Sequence, residues 1–96
     1  MANVWTHGVW TVKAGREEEF VAAWRELLPI GAALGSADAT LLRDRDRTNV
    51  FRSFGPWPDL ATIERFRAEI RPRVGAMNDM LESFETFTLD EVYPGG

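Results

Sequence analysis

The sequence has 96 residues, a formal net charge of −4 and no cysteine. We expect residues 1–96 to form a single domain. The lack of cysteine excludes disulfides, thiolate metal sites and cysteine nucleophiles, and it favours the reducing cytoplasm as the location of the protein. The acidic balance argues against nucleic acid as a partner, and no apolar run is long enough to cross a membrane.

The segment 3–13, NVWTHGVWTVK, predicts a first strand. One face of this strand carries Val4, Thr6, Gly8, Trp10 and Val12, and the other carries Trp5, His7, Val9 and Thr11. Because both faces hold apolar side chains, we expect both to be at least partly buried.

The segment 16–28 predicts a first helix, because Phe20, Trp24 and Leu27 with Leu28 fall on one face. The acidic run 17–19 matches the helix dipole in the first turn, and we interpret it as a solvated helix start and not as a metal site. Pro29 predicts the end of this helix. A connection of small residues, 30–37, follows it.

The segments 40–46 and 50–54 predict the second and third strands, joined by a turn at 47–49 as an antiparallel hairpin. Gly55 and Pro56 predict the end of the third strand, because proline has no N–H for the ladder. Trp57 lies at the corner, where it either packs into the core or lines a pocket. Asp59 is predicted to cap the helix that begins next.

The second helical region carries an apolar stripe of Leu60, Ile63, Phe66 and Ile70, and Pro72 predicts a break in it. A second piece is predicted to turn Val74, Met77 and Leu81 inward. The four arginines at 65, 67, 71 and 73 form either solvated surface or a patch that pairs with an anionic ligand group. The segment 82–93 predicts the fourth strand.

The order β-α-β-β-α-β predicts an α+β fold, a ferredoxin-like antiparallel sheet with both helices on one face. The other face would keep bulky apolar side chains from several strands exposed to water. Such a patch exceeds what a monomer normally shows, so we predict a homodimer with the sheets face to face.

Two stretches carry a resemblance to a known family. VKAG followed by REEEFVAAWRELL resembles the first strand and helix of the antibiotic biosynthesis monooxygenase (ABM) family. TLLRDRDRTNVFRSFGPWPDLATIERFR resembles its central hairpin, tryptophan corner and second helix. The resemblance implies a dimeric α+β barrel. Members of this family oxidise quinol-type polyketides with O₂ and no cofactor or degrade haem, and relatives isomerise lactones.

The resemblance also bears on individual positions. The cofactor-free oxygenases place an Asn four residues before the corner Trp and a Tyr six residues after it, and here Trp57 matches while those positions hold Ser53 and Ile63. In the haem degraders, a strand-one Asn and a helical His fall on Gly8 and Arg67. The departures imply that this chain does not degrade haem, and we expect neither cofactor nor metal.

The candidate catalytic residues are Trp57, Ser53 and His7, and the candidate substrate-binding residues are Trp10, Phe51, Thr6 and Trp57. Phe51, Ser53 and Trp57 share the parity of the third strand, so we expect them to project to one side. His7, the single histidine, is either a general base or a structural residue. Its parity places it opposite Gly8 and Ser53.

Two functions remain open on these grounds. The first is a cofactor-independent monooxygenase or related isomerase acting on a planar aromatic, quinol-like small molecule. The second is a non-catalytic dimeric protein of the same fold that binds a hydrophobic aromatic small molecule.

Overall fold

The computed structural model describes residues 3–36 and 38–93. Its elements, in chain order, are β1 Val4–Val12, α1 Glu17–Arg25, α2 Leu28–Ala33, β2 Thr40–Arg43, β3 Val50–Trp57, α3 Leu60–Met77, a 3₁₀ turn Asn78–Met80, and β4 Leu81–Asp90. Residues 1–2, 37 and 94–96 of the predicted domain and connection lie outside the described part. No helix in the described ranges is long and apolar enough to span a membrane.

The four strands form one antiparallel sheet with the order β2-β3-β1-β4, which confirms the predicted ferredoxin-like α+β fold. In the register, Trp10 of β1 lies opposite Phe51 of β3 and Phe84 of β4. Because side chains alternate along each strand, the row of Thr6, Gly8 and Trp10 with its cross-strand partners forms one face. We call it the helix-covered face.

The hydrophobic core fills the space between this face and the helices. Its buried members are Trp10, Val12, Phe20, Trp24, Leu27, Phe51, Ile70, Met77 and Leu81. Phe20 and Trp24 come from α1 and lie on one face of that helix, as the spacing predicted. Trp10 and Phe51 come from the sheet, so the core joins the two layers directly.

None of the helices in the described ranges covers the opposite face of the sheet, and we call it the helix-free face. It presents Trp5, His7, Val9 and Thr11 of β1, Phe54 and Pro56 of β3, and Phe87 and Leu89 of β4. Phe87 and Leu89 are both exposed. The predicted distribution of apolar side chains over both faces of the strands is therefore present.

The sequence predicted that the third strand ends at Gly55, but β3 continues to Trp57. Its neighbour β2 pairs with it only as far as the pair Thr40 and Phe54. Beyond that pair, β3 is an edge on the β2 side, and proline is tolerated where no ladder bond is needed. Trp57 is thereby held at the end of a strand that is paired with Val4 of β1.

The two helical prolines also behave differently from the prediction. Pro29 does not end a helix but lies in the first turn of α2, where a missing N–H costs nothing. Pro72 does not break α3, which runs unbroken through it. Pro72 and Ala68, whose carbonyl loses its helical donor, are both exposed, so water can hydrogen-bond that carbonyl.

Side chains define the ends of two elements. The Asp44 carboxylate accepts the N–H groups of Asp46 and Arg47 at 2.9 and 2.8 Å, so β2 ends at Arg43 and not at Asp46 as predicted. Those bonds, first that from Arg47, lower the pKa of Asp44. Asp59 accepts the N–H of Thr62 at 2.8 Å, which confirms the predicted helix cap.

Candidate functional site

A cavity of about 460 Å³ lies between the helix-covered face and the helices. The sheet contributes Thr6, Gly8, Trp10, Ser53, Gly55 and Trp57, and the helical layer contributes Trp24, Leu27, Gly31, Phe66 and Ile70. The lining is aromatic and aliphatic apart from a few hydroxyl groups, the amide of Asn78 and the arginines Arg67 and Arg71. A largely apolar cavity with a small number of polar groups is typical of a small-molecule site.

Two of the three tryptophans in the cavity wall have indole N–H groups that are held by hydroxyls of the sheet. Trp10 Nε1 donates to Ser53 Oγ at 2.9 Å, and Trp57 Nε1 donates to Thr6 Oγ1 at 2.9 Å. Each bond crosses from β1 to β3, so it fixes the ring plane relative to the sheet. A hydroxyl that accepts still has its own hydrogen to donate, so Ser53 and Thr6 can each donate to a ligand oxygen.

Neighbouring rings pack against both indoles. Trp10 is stacked on Phe84 of β4, with ring centroids 3.9 Å apart. Trp57 contacts the Phe66 ring of α3 with a centroid distance of 4.8 Å. The aromatic walls are therefore supported from β4 and α3, and they present flat surfaces suited to a planar ligand.

Gly8 lies on the floor of the cavity where the hydrogen bond between Trp10 and Ser53 passes over the backbone. A Cβ at position 8 would lie 2.7 Å from Ser53 Oγ and 2.8 Å from Trp10 Nε1. Real Cβ atoms do not approach that closely, so glycine is required for this bond to form.

The closed end of the cavity holds Ser36, which is 3% exposed. Its hydroxyl finds no hydrogen-bond partner among residues 3–36 and 38–93. A Cβ at Gly55 would lie 3.3 Å from Ser36 Oγ and 3.5 Å from Thr6 Oγ1, so both hydroxyls surround one point of the floor. Sequence reasoning missed Ser36, because it lay in a connection of small residues and carried no periodic signal.

The open side of the cavity lies between α3 and β4, where the lining residues are exposed. Arg67 and Arg71 border it from α3, and Phe84 and Thr86 border it from β4. Arg67 Nη2 donates to Thr88 Oγ1 at 3.2 Å, which ties the helix to the edge strand. Within the described ranges, neither arginine forms an ion pair, so their charge is available to a ligand.

The structure brings four of the predicted site residues together, namely Thr6, Trp10, Ser53 and Trp57. Phe51 has the predicted parity but lies outside the cavity wall. It is 3% exposed and packs in the core against Phe20, with ring centroids 5.1 Å apart.

His7 also lies apart from the other predicted site residues. The strand at His7 borders the cavity, but its imidazole packs between Phe54 and Phe87 on the helix-free face, with centroid distances of 4.3 and 5.7 Å. Its side chain therefore has the placement that its parity predicted. Among the described residues, no group of three or more histidine, aspartate or glutamate side chains could hold a metal ion.

Solved structures share this fold over nearly the whole chain. SnoaB from Streptomyces nogalater, a cofactor-independent oxygenase, is 23% identical with a TM-score of 0.85, and the match covers 98% of this chain and 97% of SnoaB. Protein SO0527 from Shewanella oneidensis is 20% identical with a TM-score of 0.84, covering 94% and 91%. PA3566 from Pseudomonas aeruginosa is 18% identical with a TM-score of 0.83, covering 97% of each chain.

Among curated proteins, no sequence matches this chain significantly. The family-level comparison is positive, since the sequence model described as antibiotic biosynthesis monooxygenase matches residues 4–70. That range begins with β1 and ends within α3, so it includes the strands and the corner that hold Trp10, Ser53 and Trp57. On this match over more than half of its length, the chain belongs to the antibiotic biosynthesis monooxygenase family.

Proposed function

We propose that the protein binds a planar aromatic, quinol-like small molecule in this cavity and oxidises it with O₂ without a cofactor. The observation that carries the proposal is the pair of fixed indoles, Trp10 and Trp57, whose hydroxyl partners Ser53 and Thr6 can still donate to a ligand. Flat apolar walls and two hydroxyl donors suit a fused ring system that bears oxygen. Membership of the ABM family and the shared fold of the oxygenase SnoaB support the same chemistry.

The reaction we propose needs no group beyond the substrate, O₂ and water. An anthrone-type substrate loses a proton from its ring methylene to water at the open side, and its carbonyl oxygen becomes the oxyanion of an enolate. Ser53 Oγ donates to that oxyanion, and the guanidinium groups of Arg67 and Arg71 favour the negative charge.

The remaining steps oxidise this anion with O₂. The anion passes one electron to O₂, and the carbon radical and superoxide combine to form a C–O bond. The C–H and O–O bonds of this peroxide break, which leaves a ring carbonyl and hydroxide. The hydroxide takes up the first proton, so the products are a quinone-type carbonyl and one water.

One observation favours the alternative, a non-catalytic protein that binds the same class of ligand. The cavity wall in the described part of the chain has no carboxylate, and the His7 imidazole packs on the opposite face. No side chain there is placed to take the substrate proton as a general base. The alternative therefore differs from the first proposal in one testable respect, which is O₂ consumption.

We further propose that two copies pair through the helix-free face, in the reducing cytoplasm that suits a chain without cysteine. Exposed Phe87 and Leu89 and half-buried Trp5, Val9 and Phe54 make this face apolar, although the exposed charged residues Arg52 and Glu85 flank Val9. Covering it with a second copy removes that surface from water without closing the cavity, which opens on the other side of the sheet.

The test is O₂ uptake by purified protein with 1,8-dihydroxyanthrone, measured above the uncatalysed rate and without added metal, flavin or haem. We expect turnover by the wild type and a large loss in Trp57→Ala. Ser53→Ala should cost about 1–3 kcal/mol of transition-state stabilisation, the value of one hydrogen bond to a developing charge. Thr48→Ala removes an exposed hydroxyl from the turn between β2 and β3, away from the cavity and from the helix-free face, and as the control it should not change the rate.

Binding without O₂ uptake would replace the oxygenase proposal by the binding-protein alternative. Binding is followed by isothermal titration calorimetry with 1,8-dihydroxyanthraquinone, the product that the proposed reaction forms from 1,8-dihydroxyanthrone. No binding and no uptake would remove both proposals together.

A further inference from the structure

Ser36 has a buried hydroxyl that the fold itself does not use. The residue is 3% exposed, and its Oγ has no hydrogen-bond partner in residues 3–36 and 38–93. Leaving a buried hydroxyl without a partner costs folding free energy, and most such groups in proteins are paired. The backbone N–H of Ser36 donates to Gly31 O at 2.9 Å, so the loop is already held without the side chain.

The Ser36 hydroxyl lies at one end of the cavity, where it can contact the end of a bound ligand. Ser36 and Gly55 both line the cavity, and a Cβ at Gly55 would lie 3.3 Å from Ser36 Oγ. The hydroxyl therefore borders the cavity, from which a ligand atom can approach it. Thr6 Oγ1, already engaged by Trp57 Nε1, is the nearest second hydroxyl at that point.

The opposite end of the cavity is cationic. Arg67 and Arg71 border the open side next to β4, while Gly55 lies on β3 with β1 between them. Two interstrand spacings, about 10 Å, separate the edge strand from β3. That span fits two or three fused aromatic rings with an acidic group at one end and an oxygen at the other.

We propose that Ser36 is a ligand-recognition residue, whose hydroxyl hydrogen-bonds a hydroxyl or carbonyl oxygen at the leading end of an aromatic acid. The carboxylate of that acid remains at the open side with Arg67 and Arg71. This inference rests on the proposed binding of planar aromatic molecules and adds which positions of the ring carry oxygen. It assigns to Ser36 specificity for the ligand and no part in the bond-making steps.

Two naphthoates test the inference, because they differ only by the oxygen in question. 6-Hydroxy-2-naphthoate carries a hydroxyl at the end opposite its carboxylate, and 2-naphthoate lacks it. Isothermal titration calorimetry with each should show the wild type binding the hydroxylated acid about three- to tenfold more tightly, the value of one buried hydrogen bond. Ser36→Ala should lose this preference and keep its affinity for 2-naphthoate.

Two controls separate recognition from structure. Thr48→Ala removes an exposed hydroxyl from the turn between β2 and β3 and should keep the preference. Thermal unfolding of Ser36→Ala without ligand should give a Tm that is a few degrees higher than that of the wild type, because the variant no longer buries an unpaired hydroxyl. A structural serine would instead lower the Tm on substitution.

Arg71→Gln checks the orientation of the acid. It should weaken both naphthoates by a similar factor, whereas Arg65→Gln, an exposed arginine that does not line the cavity, should weaken neither. An unchanged affinity in Arg71→Gln would overturn the placement of the carboxylate.

The other outcomes distinguish a failure of the role of Ser36 from a failure of the proposed function. Failure of both naphthoates and of 1,8-dihydroxyanthraquinone to bind would overturn the aromatic-binding proposal and the role of Ser36 with it. Equal wild-type affinities for the two acids, or a preference that persists in Ser36→Ala, would overturn the role of Ser36 alone. A lower Tm in Ser36→Ala would also overturn it, because the hydroxyl would then serve the fold.

Discussion

The two faces of this sheet are built from the same strands, yet their aromatic side chains differ in burial and in hydrogen bonding. On the helix-covered face, Trp10 and Trp57 are buried and their indole N–H groups are fixed by hydroxyls. On the helix-free face, Trp5 is only half-buried, and its indole N–H donates to Glu91 Oε1 at the end of β4. Alternation alone therefore supplies aromatic side chains to both faces, and the helices decide which of them form a site.

The wall of the cavity is closely packed on the helix-covered face. A Cβ at Gly8 would clash with Ser53 Oγ and Trp10 Nε1, and a Cβ at Gly31 would lie 3.6 Å from the rings of Phe66 and Trp57. The indoles of Trp10 and Trp57 are fixed by hydrogen bonds to hydroxyls. A cavity whose wall is fixed in this way is more typical of a binding site than of a packing defect.

The largest expected effect contrasts two tryptophans. Trp24→Ala removes a ring that is 8% exposed and belongs to the core, so the free energy of unfolding should fall by about 3–5 kcal/mol. Trp5→Ala removes the same group from the helix-free face and should cost less in dilute protein. Guanidinium melts of both variants measure the difference. A loss below about 1 kcal/mol for Trp24→Ala would contradict its place in the core.

The second prediction tests what covers the helix-free face. We expect the wild type to have twice the chain mass in light scattering at micromolar concentration. Phe87→Lys puts a charge on a side chain that is 44% exposed in one chain and that the proposed dimer would bury. The dimer should weaken by about a hundredfold or more, since the ammonium would lack a partner.

Leu60→Lys serves as the control for that charge. Leu60 is also apolar and exposed, but it begins α3 and lies away from the helix-free face. Its variant should remain dimeric. A wild-type protein that stays monomeric at micromolar concentration would contradict the assembly altogether, and the apolar surface would then need another explanation.

The third prediction contrasts two glycines. Gly8→Ala places a methyl group 2.7 Å from Ser53 Oγ, so the bond from Trp10 must break and stability should fall by about 1–3 kcal/mol. Gly75→Ala meets nothing within 4 Å and lies inside α3, so it should raise stability by about 0.5–1 kcal/mol. Chemical melts give both values. Equal and small effects would show that the floor of the cavity is not tightly packed.

Apart from α2, which lies mostly in the predicted connection 30–37, the order of elements, the sheet topology and the helix cap at Asp59 were all predictable from the sequence. They follow from local signals, since periodicity, turn residues and parity each depend on a few neighbouring positions. The effects of Pro56 and Pro72 were not predictable, because the first depends on whether a neighbouring strand needs the missing N–H and the second on whether water reaches the carbonyl that lost its donor. The position of a proline in the sequence does not reveal these surroundings.

The residues of the candidate site were also predictable only in part. Parity predicted the side on which Ser53 and Trp57 project, and Phe51 shares that side, but parity could not say which residue borders empty space. Phe51 is covered by Phe20 from α1, a contact between positions distant in the chain. Ser36 could not be predicted at all, because an unpaired hydroxyl is recognisable only once its surroundings are known.

The smallest expected effect concerns α3, one of the helices that pack over the helix-covered face. The Thr62 hydroxyl and then the Thr62 N–H hydrogen-bond the Asp59 carboxylate and lower its pKa below 3.8. A carboxyl whose pKa is lower in the folded protein stabilises the fold above its unfolded pKa, and this stabilisation is lost as the pH falls through the folded pKa. Asp59→Ala should therefore lower the Tm modestly at neutral pH, because α3 loses its cap.

The pH dependence separates the charge of Asp59 from its shape. The Tm difference between wild type and Asp59→Ala should stay constant from about pH 7 to pH 5 and shrink below about pH 4, as the carboxyl takes up its proton. Asp59→Asn keeps a capping oxygen but does not titrate, so its advantage over the alanine variant should persist in acid. Thermal melts across this range measure all three proteins. A wild-type advantage that is independent of pH would mean that Asp59 stabilises α3 as a neutral hydrogen-bond acceptor and not through its charge.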